Sequence, residues 1–215
     1  MDLPVKNRKA AGEALAQALQ EYAGRDDVFV LALPRGGVPV AVEVAKALDA
    51  GLDLMLVRKL GVPGQKELVM GAIASGGSRV MNEAVVRSLN ISEEAIKQVE
   101  EAERKELRRR EQAYRGERPW PVLAGCCVIL VDDGLATGAT MRAAVDAVRQ
   151  SDPAHLVVAV PVAPADTLEM LARQVDNLVC LAVPEYFRAL GLWYVDFSQV
   201  SDDEVRHLLE KTWNE

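Results

Sequence analysis

No stretch of this 215-residue chain approaches the roughly 18 consecutive apolar residues that a membrane-spanning helix needs. The N-terminal run MDLPVKNRKAAGEAL has no apolar h-region, so no secretory signal is evident there. Cysteine is scarce. Cys126, Cys127 and Cys180 all fall in apolar, strand-like runs, which reads as reduced core thiols in a cytoplasmic protein rather than a disulfide or metal site. Positive charge is in deficit: 25 Lys and Arg face 32 Asp and Glu, a net charge of −7, which disfavours a nucleic-acid groove. No GxxxxGK[ST] P-loop, internal repeat or low-complexity segment occurs. Aromatic residues are few, three Trp, four Tyr and three Phe, so their clustering late in the chain is informative. With half its residues hydrophobic and 27% charged, the chain suits one α/β domain with a full-sized core.

The stretch VILVDDGLATGAT, Val128 to Thr140, carries most of the chemistry. Its apolar start, from Cys126 to Val131, does not alternate, as expected of a strand buried on both faces of a parallel sheet. Asp132 and Asp133 follow at the strand's C-terminal end, then the small loop GLATGAT, then an alanine-rich helix from Met141 to Gln150. Such a turn gathers backbone N–H groups and a helix N-terminus around one point, which suits a phosphate. Thr137 and Thr140 can add hydroxyl donors, and Gly138 permits close approach. Two adjacent carboxylates do not serve the same anion; ribose hydroxyls or a hydrated magnesium ion suit them. The turn lacks a dinucleotide-binding fingerprint.

Around this stretch, strands and helices alternate. Asn7 to Ala23 places Ala11, Leu15, Ala18, Leu19 and Tyr22 at helical spacing, closed by Gly24. A strand from Val28 to Leu33 leads into Pro34-Arg35-Gly36-Gly37 and a helix from Val38 to Leu48. A second strand, Leu52 to Val57, ends in Arg58-Lys59, adjacent cations that either sit at the mouth of the sheet or are solvated strand-end charges. Gly61 to Glu67 reads as a mobile loop able to carry Lys66 and Glu67 into a site on closure. Leu68 to Ala74 and Ser78 to Met81 flank Ser-Gly-Gly and suggest a hairpin. Glu83 to Leu89 is a short helix, and Ser92 opens a long one through about Arg115. Its Glu100–Arg104, Glu101–Lys105 and Glu106–Arg110 pairs, and the glutamates around Arg108-Arg109-Arg110, mark a solvated face. Further strands are expected over Ala154 to Ala163 and Asn177 to Val183, with helices over Asp166 to Gln174 and Ser201 to Trp213. The alternation predicts a doubly wound parallel sheet with helices on both faces. Tyr186, Phe187, Trp193, Tyr194 and Phe197 lie close together, either as a base-stacking lid or as a staple for the C-terminal segment.

The run from Val128 to Thr140 resembles the signature of the type I phosphoribosyltransferases: four apolar residues, two acidic ones, and a small loop ending in Thr-Gly-x-Thr. All thirteen positions match. Pro34 to Gly37 resembles that family's pyrophosphate loop, which often includes a cis non-proline peptide. Pro184 to Phe197 is similar to the hood of its purine-specific members, although Asp196 lies one residue further from Gly191 than their pattern has it. The resemblance implies a five-stranded parallel α/β core spanning residues 1–215. To this it adds a small hood from about 60–82 and 184–199 and a charged helical insertion over about 92–116.

The implied activity is magnesium-dependent transfer of a phosphoribosyl group from phosphoribosyl pyrophosphate to a nitrogenous base, with release of pyrophosphate. The alternative is a regulatory protein that senses this donor without turnover. Asp132 and Asp133 would hold the ribose, and magnesium indirectly, through water and substrate. Gly134, Leu135, Ala136, Thr137, Gly138, Ala139 and Thr140 would bind the 5-phosphate. Arg35, Gly36 and Gly37 would bind pyrophosphate, supported by Arg58 and Lys59, with Lys66 and Glu67 as further catalytic candidates. Trp193, Phe187 and Tyr194 would face the base. The expected partners are these small molecules, with no nucleic acid and no membrane, and a homodimer is left open. Ala136 stands where the hypoxanthine–guanine branch carries an aspartate, as in the adenine branch.

Overall fold

The computed structural model describes residues 3–214. At its centre is β6 (Cys127–Val131), whose five residues are all buried, as its unbroken apolar run requires. It lies between β1 (Val28–Ala32) and β7 (His155–Val162), and the sheet is completed by β2 (Gly51–Leu54) and β8 (Asn177–Ala182) in the order β2-β1-β6-β7-β8. All four pairings are parallel. On one face pack α1 (Arg8–Ala18), α2 (Gly37–Leu48) and α7 (Asp202–Asn214); on the other, α5 (Ala139–Arg149) and α6 (Ala165–Ala172). Strand order reverses between β1 and β6. Ligands of doubly wound sheets bind at such a switch point, outside the carboxyl ends of the strands.

The expected second strand is divided. β2 stops at Leu54, and Leu56 turns away, its N–H donating to Ser75 Oγ (3.3 Å) and its carbonyl accepting from the Ser75 N–H (2.9 Å). A separate antiparallel sheet follows, built from β3 (Val57–Val62), β4 (Gln65–Ala74) and β5 (Arg79–Met81). Arg58 and Lys59 therefore lie within β3 and not at the end of a core strand. Gly61 to Glu67 is likewise no open loop. Val62 pairs with Gln65, and Gly64 at φ 79° makes the tight turn between the strands. The expected β4–β5 hairpin is present, with Gly76 and Gly77 at φ 78° and 83°.

After the short α3 (Glu83–Ser88) comes α4 (Glu93–Arg115), whose first turn is capped by Ser92 Oγ accepting from the Ala95 N–H (3.2 Å). Its end is fastened to edge strand β2. Arg115 Nε donates to the buried Asp53 carboxylate (2.9 Å), while Trp213 Nε1 from α7 donates to the Leu52 carbonyl (2.8 Å). These contacts satisfy and cover an edge that would otherwise offer free pairing groups. The two stretches expected to share one hood pack in different places. The β3–β5 sheet lies against α3, α4 and α5. The 184–199 segment instead zips onto the N-terminus, where the Val5 N–H donates to the Trp193 carbonyl (2.9 Å) and the Val195 N–H to the Val5 carbonyl (2.8 Å).

Candidate functional site

At the switch point the turn after β1 meets the turn after β6. A Cβ added to Gly36 would fall 2.0 Å from Asp133 Oδ2, and one added to Gly37 would fall 2.9 Å from Asp132 Cα. Only glycines allow the Pro34–Gly37 turn to lie this close to the acidic pair. The Pro34–Arg35 peptide is cis, as the resemblance implied. From Asp133 the chain passes through Gly134 (φ 146°), and the Leu135 N–H donates to the Val162 carbonyl (3.0 Å). The Ala136 carbonyl accepts from Thr167 Oγ1 on α6 (2.7 Å), which fixes the loop from beneath. Gly138 (φ 65°) then turns into α5 with no side-chain cap on its N-terminus. Ala136, Thr137 and Thr140 are exposed around this N-terminus, an arrangement suited to an anion.

Asp133 is heavily supported. Arg8, at the start of α1, donates from Nε to Asp133 Oδ2 (2.7 Å) and from Nη1 to the Ser198 carbonyl (2.7 Å), with its guanidinium 3.9 Å from the centre of the Phe197 ring. Tyr194 Oη donates to the Asp133 carbonyl (2.5 Å). Sequence reading missed Arg8: it lies 125 residues from its partner, and no spacing pattern links them. The same contacts correct the reading of Tyr194 as a base-facing ring. Tyr194 is only 5% exposed and its hydroxyl is engaged, so it supports the acidic pair from below. Phe187 and Trp193 do stack, with centroids 6.3 Å apart. Asp196 accepts the Ser198 N–H (3.0 Å) and so shapes the turn that receives Arg8.

The basic candidates are dispersed. Arg58 Nε donates to Glu103 of α4 (2.7 Å), which ties the small sheet to that helix. Lys59 points the other way, into a groove of about 400 Å³ beside Ala139 and Arg142 of α5. Lys66 and Glu67 are exposed on the β3–β4 hairpin. Arg35 lies beside Asp202, at 3.6 Å.

Burial raises the carboxyl of Asp132 far above the ordinary carboxylate range, and the charge of Asp133 adds to this. Asp133 is also raised by burial, with Arg8 opposing. A carboxyl whose folded pKa exceeds its unfolded value of about 3.9 is destabilising once ionised. The stability it contributes is complete below that unfolded value and is lost as pH rises through the folded one. Asp132→Asn is therefore expected to melt higher than wild type at pH 7. Each kcal/mol moves a chain of this size by about 2–4 °C. The difference should shrink toward pH 4, and thermal scans across that range showing a lower-melting variant at pH 7 would contradict the assignment.

A turn that joins an acidic pair, a glycine-lined loop and an uncapped helix N-terminus thus stands at the switch point, where ligands of doubly wound α/β proteins bind. Comparison with known proteins makes the class specific: the chain belongs to the phosphoribosyl transferase domain family, whose model matches residues 4–187. It is 47% identical over 205 residues to two Mycobacterium tuberculosis sequences, MT0597 and Rv0571c, whose names assign them provisionally as phosphoribosyl transferases. That match covers 95% of this chain but 46% of theirs, so the chain spans about half the length of these curated relatives. The crystal structure of TT1426 from Thermus thermophilus is similar throughout, with a TM-score of 0.86 and 42% identity over 96% of this chain and 98% of that one. AQ2163 from Aquifex aeolicus shares the fold alone, with a TM-score of 0.52 and 13% identity over 86% of this chain and 78% of that one.

Proposed function

We propose that the protein transfers a phosphoribosyl group from phosphoribosyl pyrophosphate to a nitrogenous base and releases pyrophosphate. The observation that carries this reading is the contact between the Pro34–Gly37 turn and the Asp132–Thr140 turn at the sheet's switch point. One turn offers an open peptide face for a diphosphate, and the other offers carboxylates and a helix N-terminus for ribose and a 5-phosphate. Held between them, the donor's anomeric carbon would face outward. Displacement there passes through an oxocarbenium-like state, so the protein's contribution is positioning and charge stabilisation.

Magnesium fits such a site as an ion carried mainly by the substrate. Among the described residues no group of three or more His, Cys, Asp or Glu could hold a metal. Asp132 Oδ1 already accepts the Asp133 N–H (2.8 Å), and Asp133 is paired with Arg8. A cation that keeps water and binds through one or two carboxylates and substrate phosphates needs no more. When bound it would neutralise the departing diphosphate. Asp132 would hold the ribose hydroxyls, Arg8 and Tyr194 would keep Asp133 in place, and the Phe187–Trp193 stack would offer an apolar wall to a planar base.

A panel of purine and pyrimidine bases assayed for pyrophosphate release, with donor and magnesium present, tests this function. The expected outcome is base-dependent release that Asp132→Ala abolishes or strongly reduces. Donor binding without release for every base would leave a sensing protein instead.

A further inference from the structure

Sequence reading leaves Arg109 and Arg110 as part of a solvated helix face, and the donor site described above uses neither. The fold gives them another setting. They lie with Ala113, Tyr114, Arg35 and Asp202 around a cavity of about 290 Å³ that Pro34, at the start of the Pro34–Gly37 turn, also lines. Pro34 and Leu56 in its lining follow the carboxyl ends of β1 and β2, and Gly36, in the same turn as Pro34, lies against Asp133 at the end of β6. Arg58, the basic residue expected at this place, is held by Glu103.

The cavity's charges are arranged to receive an anion. Arg110 meets Glu106 through Nε (2.8 Å), and Arg109 meets the same carboxylate through Nε and Nη2 (2.7 and 3.0 Å), so one glutamate orients two guanidinium groups. Those bonds leave the Nη groups of Arg110 and the Nη1 of Arg109 as donors. Arg35 Nη1 is 3.6 Å from Asp202, an ion pair too long for a hydrogen bond, so its donors are also free to turn. Asp202 is the one acidic group in the lining. It accepts from Tyr114 Oη (2.5 Å), whose pKa is pushed up to about 12, so that hydroxyl keeps its proton and stays on Asp202. Three guanidinium groups thus face a single carboxylate, which the Tyr114 hydroxyl and the nearby arginines hold ionised.

We propose that Arg109 and Arg110 of α4 are binding residues for the diphosphate end of the donor, reaching it through this cavity beside the Pro34–Gly37 turn. The inference rests on the phosphoribosyl-donor reading and assigns the charged helical insertion a part in it. Planar guanidinium groups match phosphate oxygens in pairs, and two of them on successive residues can grip both phosphates of a diphosphate.

Calorimetric titration with pyrophosphate and magnesium tests the assignment, with ribose 5-phosphate as the control for the Asp132–Thr140 loop. In R109M/R110M the pyrophosphate affinity is expected to fall by about tenfold or more, the loss of at least one charge-assisted contact, while ribose 5-phosphate affinity stays as in wild type. Ala113→Glu, at an exposed helix position, introduces a negative charge into the cavity without removing any existing contact and should weaken pyrophosphate in the same direction. Equal pyrophosphate affinity in R109M/R110M and wild type, or no binding by wild type, would overturn the proposal. The two readings can fail separately. Loss of pyrophosphate binding in the variants, with no wild-type affinity for phosphoribosyl pyrophosphate, would uphold the anion cavity and reject the donor reading.

Discussion

An Arg8→Met variant is expected to lose about 3–5 kcal/mol of stability at pH 7, the cost of leaving a buried charge without its partner. Arg8 and Asp133 are 11% and 10% exposed in their side chains, so water cannot replace the lost contact cheaply. The effect reaches beyond one ion pair. The guanidinium also holds the Ser198 carbonyl and covers Phe197, so its removal loosens the segment that positions Tyr194 under Asp133. Chemical denaturation of Arg8→Met, Asp133→Asn and the double variant forms the required cycle. The double variant should recover much of the loss, because with both charges gone no buried charge is left unpaired. A loss below 1 kcal/mol in the single variant would show that the pair is solvent-screened and that Asp133 is held by other means.

Hypoxanthine and guanine are expected to be poor acceptors, slower than the best base by about 10²–10⁴-fold, the usual worth of general acid–base assistance. The reason lies at Ala136, where the resemblance to the hypoxanthine–guanine branch calls for a proton-accepting aspartate. The position is exposed on the site loop, and its carbonyl is fixed by Thr167, so a side chain there would be well placed. Alanine offers no proton acceptor. Glu67, the substitute named from sequence, is an exposed residue of the β3–β4 hairpin. Competing-substrate kinetics with adenine, hypoxanthine, guanine and pyrimidine bases would settle the order. Hypoxanthine turnover matching the best base would mean that the proton is taken by another group.

The parts of the site that were legible in the sequence are those carried by contiguous residues. Val128 to Thr140 holds strand, carboxylates, loop and helix start in one run, and Pro34 to Gly37 holds the second turn, so both could be read without knowing the fold. What could not be read depends on meetings across the chain. Arg8 reaches Asp133 only because α1 packs beside the sheet, and the 184–199 segment faces the N-terminus only because Val5 pairs with it. The break between β2 and β3 was hidden for a different reason. Leu54, Met55 and Leu56 are all buried, so the apolar pattern continues unbroken while the chain changes sheets. That change moved Arg58 onto α4, and it left the mouth of β1 and β2 to arginines whose own sequence context suggested only a solvated helix.

Thermal melting with phosphoribosyl pyrophosphate and magnesium tests the central claim most directly. At a hundredfold excess over its dissociation constant the donor should stabilise the wild-type protein by about 2.7 kcal/mol. Asp132→Ala and Asp133→Ala should each weaken binding by roughly 1.5–3 kcal/mol, the worth of charge-assisted bonds to the ribose. Omitting magnesium should diminish the shift. No shift in the wild-type protein at millimolar donor with magnesium present would contradict the account.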